Sequence, residues 1–160
     1  MTRHAVLDSP VGPLTLVCDD DAAALSGLYL AEQRHLPDSA RFGARDDTVL
    51  PAAQEQLSAY WAGELTEFDV PLATVGTPFQ AAVWDALRKV PYGRTCTYGD
   101  LAAAVGRPTA VRAVGAANGR NPVCIVVPCH RVVGAGGVLT GYAGGLERKR
   151  FLLDLEAARA

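Results

Sequence analysis

The hydrophobic pattern changes its period part-way along this chain. Between residues 4 and 31 it alternates in short stretches. Ala5-Val6-Leu7 runs into the turn Asp8-Ser9-Pro10, Leu14-Thr15-Leu16-Val17 follows, and Leu25 to Leu30 comes after the turn at Asp19-Asp20-Asp21. A period of two belongs to strands with one covered face. From Thr77-Pro78 onward the apolar residues recur every three or four positions, first as Phe79, Val83, Trp84 and Leu87. Strands first and helices later predict an α+β fold, with a small antiparallel sheet and a helix ahead of a helical lobe. The lobes are placed at residues 1–75 and 76–160, a length that suits two small lobes sharing a core.

Within the first lobe, Leu50, Leu57, Tyr60 and Trp61 form a helical stripe over about residues 48–63. Phe68-Asp69-Val70-Pro71-Leu72 reads as one more strand, and the polar, aperiodic residues 32–47 as a loop. This lobe shows no constellation of catalytic side chains. In the second lobe Thr77 can cap a helix that has Pro78 at its first position and runs to about Lys89. Pro91-Tyr92-Gly93 breaks it. Thr97, with Asp100 three residues later, has the pattern of a capping box. Gly106 and Pro108 end that helix, and Thr109 is placed to cap the next, through about Ala117. Two short helices about a tight turn read as a helix-turn-helix or as a plain helical hairpin. The second helix is nearly bare of bulk, with Ala110, Ala113, Gly115, Ala116 and Ala117 beside a projecting Arg112. Such a face either packs tightly on a neighbour or enters a narrow minor groove. An amphipathic helix over about 146–158 closes the chain, with Phe151, Leu152 and Leu155 predicted to face inward.

Charge is divided between the lobes. Residues 1–75 hold four basic and twelve acidic side chains, a net −8, and residues 76–160 hold eleven and five, a net +6. Only the C-terminal lobe suits a polyanion. No apolar run approaches the roughly 18 residues that span a bilayer, and Met1 to Pro10 lacks the pattern of a secretory signal. The expected compartment is the cytoplasm, with no membrane contact. Cys18, Cys96, Cys124 and Cys129 form neither a C-x-x-C pair nor a zinc-site spacing, so free thiols and no metal are predicted.

Cys129 is the thiol with chemistry around it. The apolar run Val123-Cys124-Ile125-Val126-Val127 delivers Pro128-Cys129-His130-Arg131, then returns to Val132-Val133. Only a thiolate attacks well, and a free thiol, with a pKa of about 8.5, needs a nearby cation or base. His130 and Arg131 offer both types. A third group must orient the histidine, for which Glu156 is a candidate. The other reading, a buried cysteine beside a structural histidine, stays open on these residues alone.

Pro128-Cys129-His130-Arg131-Val132 resembles the signature of the O6-alkylguanine-DNA alkyltransferases, the methylated-DNA–protein-cysteine methyltransferases. Phe79-Gln80-x-x-Val83-Trp84, Pro91-Tyr92-Gly93, Thr97-Tyr98-x-x-Leu101-Ala102, Val111-Arg112-Ala113-Val114-Gly115, Asn118-x-x-Asn121-Pro122 and Gly141-Tyr142-x-Gly144-Gly145 fall in the family's order and spacing. The resemblance is strong over about 76–156 and weaker over 1–75. It implies a ribonuclease-H-like N-terminal lobe and a winged-helix-like C-terminal lobe with a helix-turn-helix. It also implies direct-reversal repair of O6-alkylguanine, and of O4-alkylthymine, in double-stranded DNA, by a monomer that needs no cofactor. Cooperative binding along DNA stays open.

The resemblance assigns roles residue by residue. Cys129 takes the alkyl group, His130 accepts its proton through a water, and Glu156 orients His130. Asn121 is the hinge between the helix-turn-helix and the active-site turn. Arg112 fills the stack vacated by a flipped nucleotide, on the small face of Ala113, Gly115 and Ala116. Tyr98 crowds the rotating phosphate and then bonds the purine. Tyr142 donates toward the departing oxygen, and backbone groups around Cys129, Val132 and Ala143 read the base edge. Arg131 belongs to the same substrate-facing motif, with an ion pair or helix-end contact expected of it. Thr140, where some relatives have glycine, is predicted to tighten the pocket against groups bulkier than methyl. Three rivals are weighed: a non-catalytic binder of alkylated DNA would lack Cys129, a transcription factor would carry base-reading side chains on the bare helix, and a thiol hydrolase would not need Arg112 or Tyr98.

Overall fold

The alternating segments fold as predicted in a computed structural model that describes residues 1–159. Strands β1 (Thr2–Leu7), β2 (Leu14–Asp19) and β3 (Ala24–Leu30) form an antiparallel meander. Its register sets Leu14 between Leu7 and Leu30, and Leu16 between Ala5 and Leu28. Ala5, Leu14, Leu16, Leu28 and Leu30 are buried on the covered face. The sheet has a fourth member in the segment read as a loop. β4 (Ala44–Arg45) runs parallel to β1 at the edge, after a 3-10 turn at Ser39–Phe42 capped by the Asp38 side chain.

The predicted strand at Phe68–Leu72 is not a regular strand. It meets Leu25 through a single bridge at Leu72, where the Leu25 N–H donates to the Pro71 carbonyl at 2.9 Å. Pro71 has no N–H with which to extend a ladder. Helix α1 (Pro51–Trp61) buries Ala53, Leu57 and Tyr60.

Helix α2 (Pro78–Leu87) starts from a full capping box between Thr77 and Gln80. The two-residue β5 (Cys96–Thr97) leads into α3 (Tyr98–Ala104), which starts from a second box between Thr97 and Asp100. Helix α4 (Val111–Gly119) does not use Thr109 as its cap. Ala110 holds that position, because the Ala110 N–H closes a turn on the Arg107 carbonyl that contains Thr109. Val83, Leu87, Leu101, Ala102, Val114 and Ala117 are buried where these three helices meet, and the Trp84 indole N–H donates to the Ala117 carbonyl at 2.9 Å. β6 (Val132–Val133) pairs parallel with β5, which ties the cysteine turn to the start of α3.

The last helix, α5 (Leu146–Arg159), departs most from expectation. Its buried residues are Lys149, Leu152 and Glu156, whereas Phe151 is 40% exposed and Leu155 half-buried. The inward face therefore carries two charges, and the apolar stripe misplaces it. Buried residues from both lobes form one continuous core. The lobes also share main-chain bonds, from the Leu28 N–H to the Pro122 carbonyl and from the Cys124 N–H to the Leu28 carbonyl. Among the described residues no helix is long and apolar enough to cross a membrane.

Candidate active site

The turn that presents Cys129 is held by a side chain acting as a strut. Asn121 accepts from the Val123 N–H at 3.0 Å and donates to the Val127 carbonyl at 2.8 Å, clamping the apolar run end to end. Inside it Ile125 adopts φ 72, a conformation that a β-branched residue rarely takes. Pro128 then starts the 3-10 turn Cys129–Arg131, whose three side chains are buried. Asn121, expected as a hinge, sits where it fixes the turn.

Behind Cys129, one carboxylate gathers three partners. Glu156 Oε2 lies 2.7 Å from His130 Nε2, and accepts from Arg131 Nη2 at 3.0 Å and from the Tyr60 hydroxyl at 2.6 Å. Its Oε1 accepts from Arg131 Nε at 2.8 Å. Burial works to raise this carboxyl, but bonds from His130 and Arg131 outweigh it and hold the pKa at about 2. Glu156 is thus ionised, so His130 must carry its proton on Nε2 and present a lone pair at Nδ1. Burial pushes the histidine toward the neutral form, against the pull of Glu156. The expected orientation of His130 by Glu156 is present.

Arg131 is a correction. A contact with substrate or DNA does not fit its position, because it is 6% exposed and spends its guanidinium on Glu156 and the Val90 carbonyl. The ion pair expected of it is what forms. Nor do His130 and Arg131 act as the cations that ease ionisation of Cys129. Burial pushes the thiol up to about 11, and the groups that oppose this are the Asn121 amide and the Lys149 ammonium. Lys149, which no sequence signal singled out, is fully buried and donates to the Val132, Thr140 and Gly141 carbonyls. It joins the strand after Cys129 to the glycine-rich segment, and among the described residues it meets no carboxylate. Burial lowers its pKa to about 8. Lys149 takes one lone pair of the Val132 carbonyl, and the second lone pair of that oxygen remains available to an incoming donor.

A cavity of about 150 Å³ lies between α4 and the glycine-rich segment, lined by Tyr98, Gly115, Ala116, Asn118, Tyr142 and Ala143 among others. Asn118 Nδ2 lies 3.5 Å from the Cys129 carbonyl, so the inner wall backs onto the cysteine turn. His130 Nδ1, Asn118 Oδ1 and Tyr142 Oη are enclosed and have no hydrogen-bond partner among the described residues. Unpaired buried polar atoms are costly, and two of these residues, Asn118 and Tyr142, line the cavity, which marks it as kept for something other than stability. Arg112, Ala113 and Ala116 are exposed on the outer face of α4. The Tyr98 hydroxyl donates to the Thr140 carbonyl at 3.2 Å. The Thr140 side chain is exposed and packs toward Gly134, outside the cavity lining, so the predicted tightening of the pocket has no support. The N-terminal lobe, in which no functional group was expected, supplies Arg34 and His35 to the cavity rim and Tyr60 to Glu156. The Arg34 N–H donates to the Ala143 carbonyl at 2.8 Å.

Residues 78–158 match the DNA binding domain of 6-O-methylguanine DNA methyltransferase, and residues 2–74 match its ribonuclease-like domain. The chain belongs to the 6-O-methylguanine DNA methyltransferase family. A methylated-DNA–protein-cysteine methyltransferase of Mycobacterium tuberculosis is 51% identical over 160 residues, which is 100% of this chain and 95% of the relative. One from Methanosarcina acetivorans is 48% identical over 156 residues, covering 97% and 98% of the two chains. The Mycobacterium tuberculosis O6-methylguanine methyltransferase structure superimposes with a TM-score of 0.91 over 100% of this chain and 95% of its own. A structure of the Mycobacterium tuberculosis protein OGT in complex with DNA, also 51% identical, gives 0.90 over 99% and 94%. The α+β architecture expected from the sequence is thus the architecture of 6-O-methylguanine DNA methyltransferases.

Proposed function

We propose that this family member reverses alkylation damage by moving an alkyl group from the O6 of guanine in duplex DNA to Cys129, once per molecule. The observation that carries the reading is the buried Cys129 turn behind a small cavity, backed by a histidine whose free nitrogen faces no protein partner. A stacked base cannot reach an enclosed thiol, so the nucleotide must leave the helix. In this reading α4 lies in the minor groove, where its small residues permit close approach. Arg112 fills the vacated stack, and Tyr98 meets the rotated nucleotide. Basic side chains of the C-terminal lobe take the phosphates.

The Cys129 proton passes, through a water, to His130 Nδ1. Sγ attacks the alkyl carbon in line, the carbon–oxygen bond breaks, and guanine departs with Tyr142 donating toward the developing charge. Ala143 contributes its backbone N–H to the base edge. The product is a thioether, which no neighbouring thiol displaces, so the protein is consumed. O4-alkylthymine offers the same bond to the same thiol. The working division is a structural lobe at 1–75 and an alkyl-transfer lobe at 76–160, in a reducing, cytoplasmic setting that keeps Cys129 free.

Replacing Arg112 tests the DNA step. Arg112→Ala should slow transfer from a methylated duplex about 10- to 100-fold, the scale of the few kcal/mol that unstacking costs. Transfer from the same strand without its complement should change little. Equal losses on both substrates would count against a role in filling the stack.

A further inference from the structure

Tyr60 is not a residue that the DNA face or the cysteine turn would draw attention to. It belongs to α1, in the opposite lobe, yet its hydroxyl donates to Glu156 Oε2 at 2.6 Å. The side chain is fully buried, and its ring packs against Trp61, Phe68 and Tyr92 with centroids 5.1, 5.3 and 6.2 Å away. Phenylalanine would satisfy those contacts without the cost of burying a hydroxyl. The hydroxyl therefore matters for what it does to the carboxylate. The oxygen it meets also faces His130 Nε2, so each further donor on that oxygen withdraws charge from the histidine's partner.

We infer that Tyr60 is a positioning residue for alkyl transfer: by donating to Glu156 it weakens the carboxylate's hold on a proton at His130 and keeps that ring neutral, ready to accept from Cys129. This rests on the reading of Cys129 and His130 given above. The proton moves from Sγ to His130 Nδ1, and the Tyr60 proton stays on its own oxygen throughout. The charged and titratable groups around this pair come from every element packed on it. Arg131 and Lys149 oppose a charge on His130, and Glu156 favours one. The Tyr92 ring lies 5.7 Å from the Arg131 guanidinium, and its hydroxyl has no partner among the described residues. Cys129 is the proton donor. Among the described residues Tyr60 is thus the one donor to Glu156 supplied by the N-terminal lobe, which makes that lobe part of the chemistry.

The test is Tyr60→Phe, which keeps the ring, in the full chain. Single-turnover transfer from a methylated oligonucleotide is followed against pH, and the His130 ring nitrogens are titrated by NMR without DNA. The rate rises as His130 loses its proton. In Tyr60→Phe the midpoint should move to higher pH by about one unit, giving rates about 10-fold lower on the acid limb and converging at high pH. The NMR titration should move the same way. A uniform drop with an unmoved midpoint, or an unmoved His130 titration, would overturn the proposal. A shifted titration in a protein whose parent transfers nothing to Cys129 would instead fault the functional reading and leave the effect of Tyr60 on His130 standing.

Discussion

Glu156→Gln should melt about 10 °C below the parent, because breaking a buried ion pair costs about 3–5 kcal/mol. The same variant should transfer alkyl groups about 100-fold more slowly or worse, the range that a lost general base covers. Both effects come from one atom group. With a neutral amide at this position, the buried Arg131 guanidinium loses its counter-charge, and His130 loses the ionised acceptor that fixes its proton on Nε2. Tyr60 is left facing an amide. Calorimetry and a single-turnover assay on one preparation read the two losses. Acid behaviour supplies an independent check. Glu156 titrates at about 2 in the folded protein, below its ordinary 4.5. Its stabilisation is complete above pH 4.5 and is lost as pH falls toward 2, an amount of about 3 kcal/mol. The parent should lose this increment on acidification, and Glu156→Gln should not.

Lys149→Met should lower the transfer rate at neutral pH about 10- to 1000-fold, since removing an opposite charge near a buried acid moves its pKa by about 1–3 units. Lys149 is the cation that opposes the rise of the Cys129 thiol to about 11. Without it, less thiolate is present, and the Val132, Thr140 and Gly141 carbonyls lose their common donor. Raising the pH should recover much of the rate in the variant. Stability should change in a second, distinct way. Lys149 titrates at about 8 when folded and at 10.5 ordinarily, so between those values the unfolded chain holds more protons. Stability from this group therefore rises with pH across that window, by about 3 kcal/mol. The difference in unfolding free energy between parent and Lys149→Met should change by that amount from pH 8 to 10.5. A constant difference would mean that burial does not lower the pKa of Lys149.

These two charges show where sequence reading stops. Local rules placed the strands of the meander, the cap at Thr77, the capping box at Thr97 and the bare face of α4, because each depends on neighbours within a few residues. The family resemblance pointed to Glu156 and Asn121, and the fold brings both to the cysteine turn. Lys149 was hidden because a lysine in a helix is by default a solvated side chain, and what buries it is a set of carbonyls eight, nine and seventeen residues away. Reading α5 by its apolar stripe turned Phe151 inward for the same reason. Tyr60 was legible as a core residue, but its hydroxyl partner is 96 positions distant. Arg34 and His35 reach the cavity from a segment with no periodic signal at all. What is invisible locally is therefore the long-range pairing of polar groups, and that is where the site is built.

Everything turns on which sulfur receives the carbon. The decisive measurement is a peptide map by mass spectrometry of the full chain after incubation with an oligonucleotide carrying O6-methylguanine, beside Cys129→Ser. The peptide containing Cys129 should gain the mass of one CH2 in stoichiometric yield, and Cys129→Ser should gain nothing. Methyl groups found on Cys18, Cys96 or Cys124, or a parent protein that stays unmodified while the lesion persists, would contradict the account.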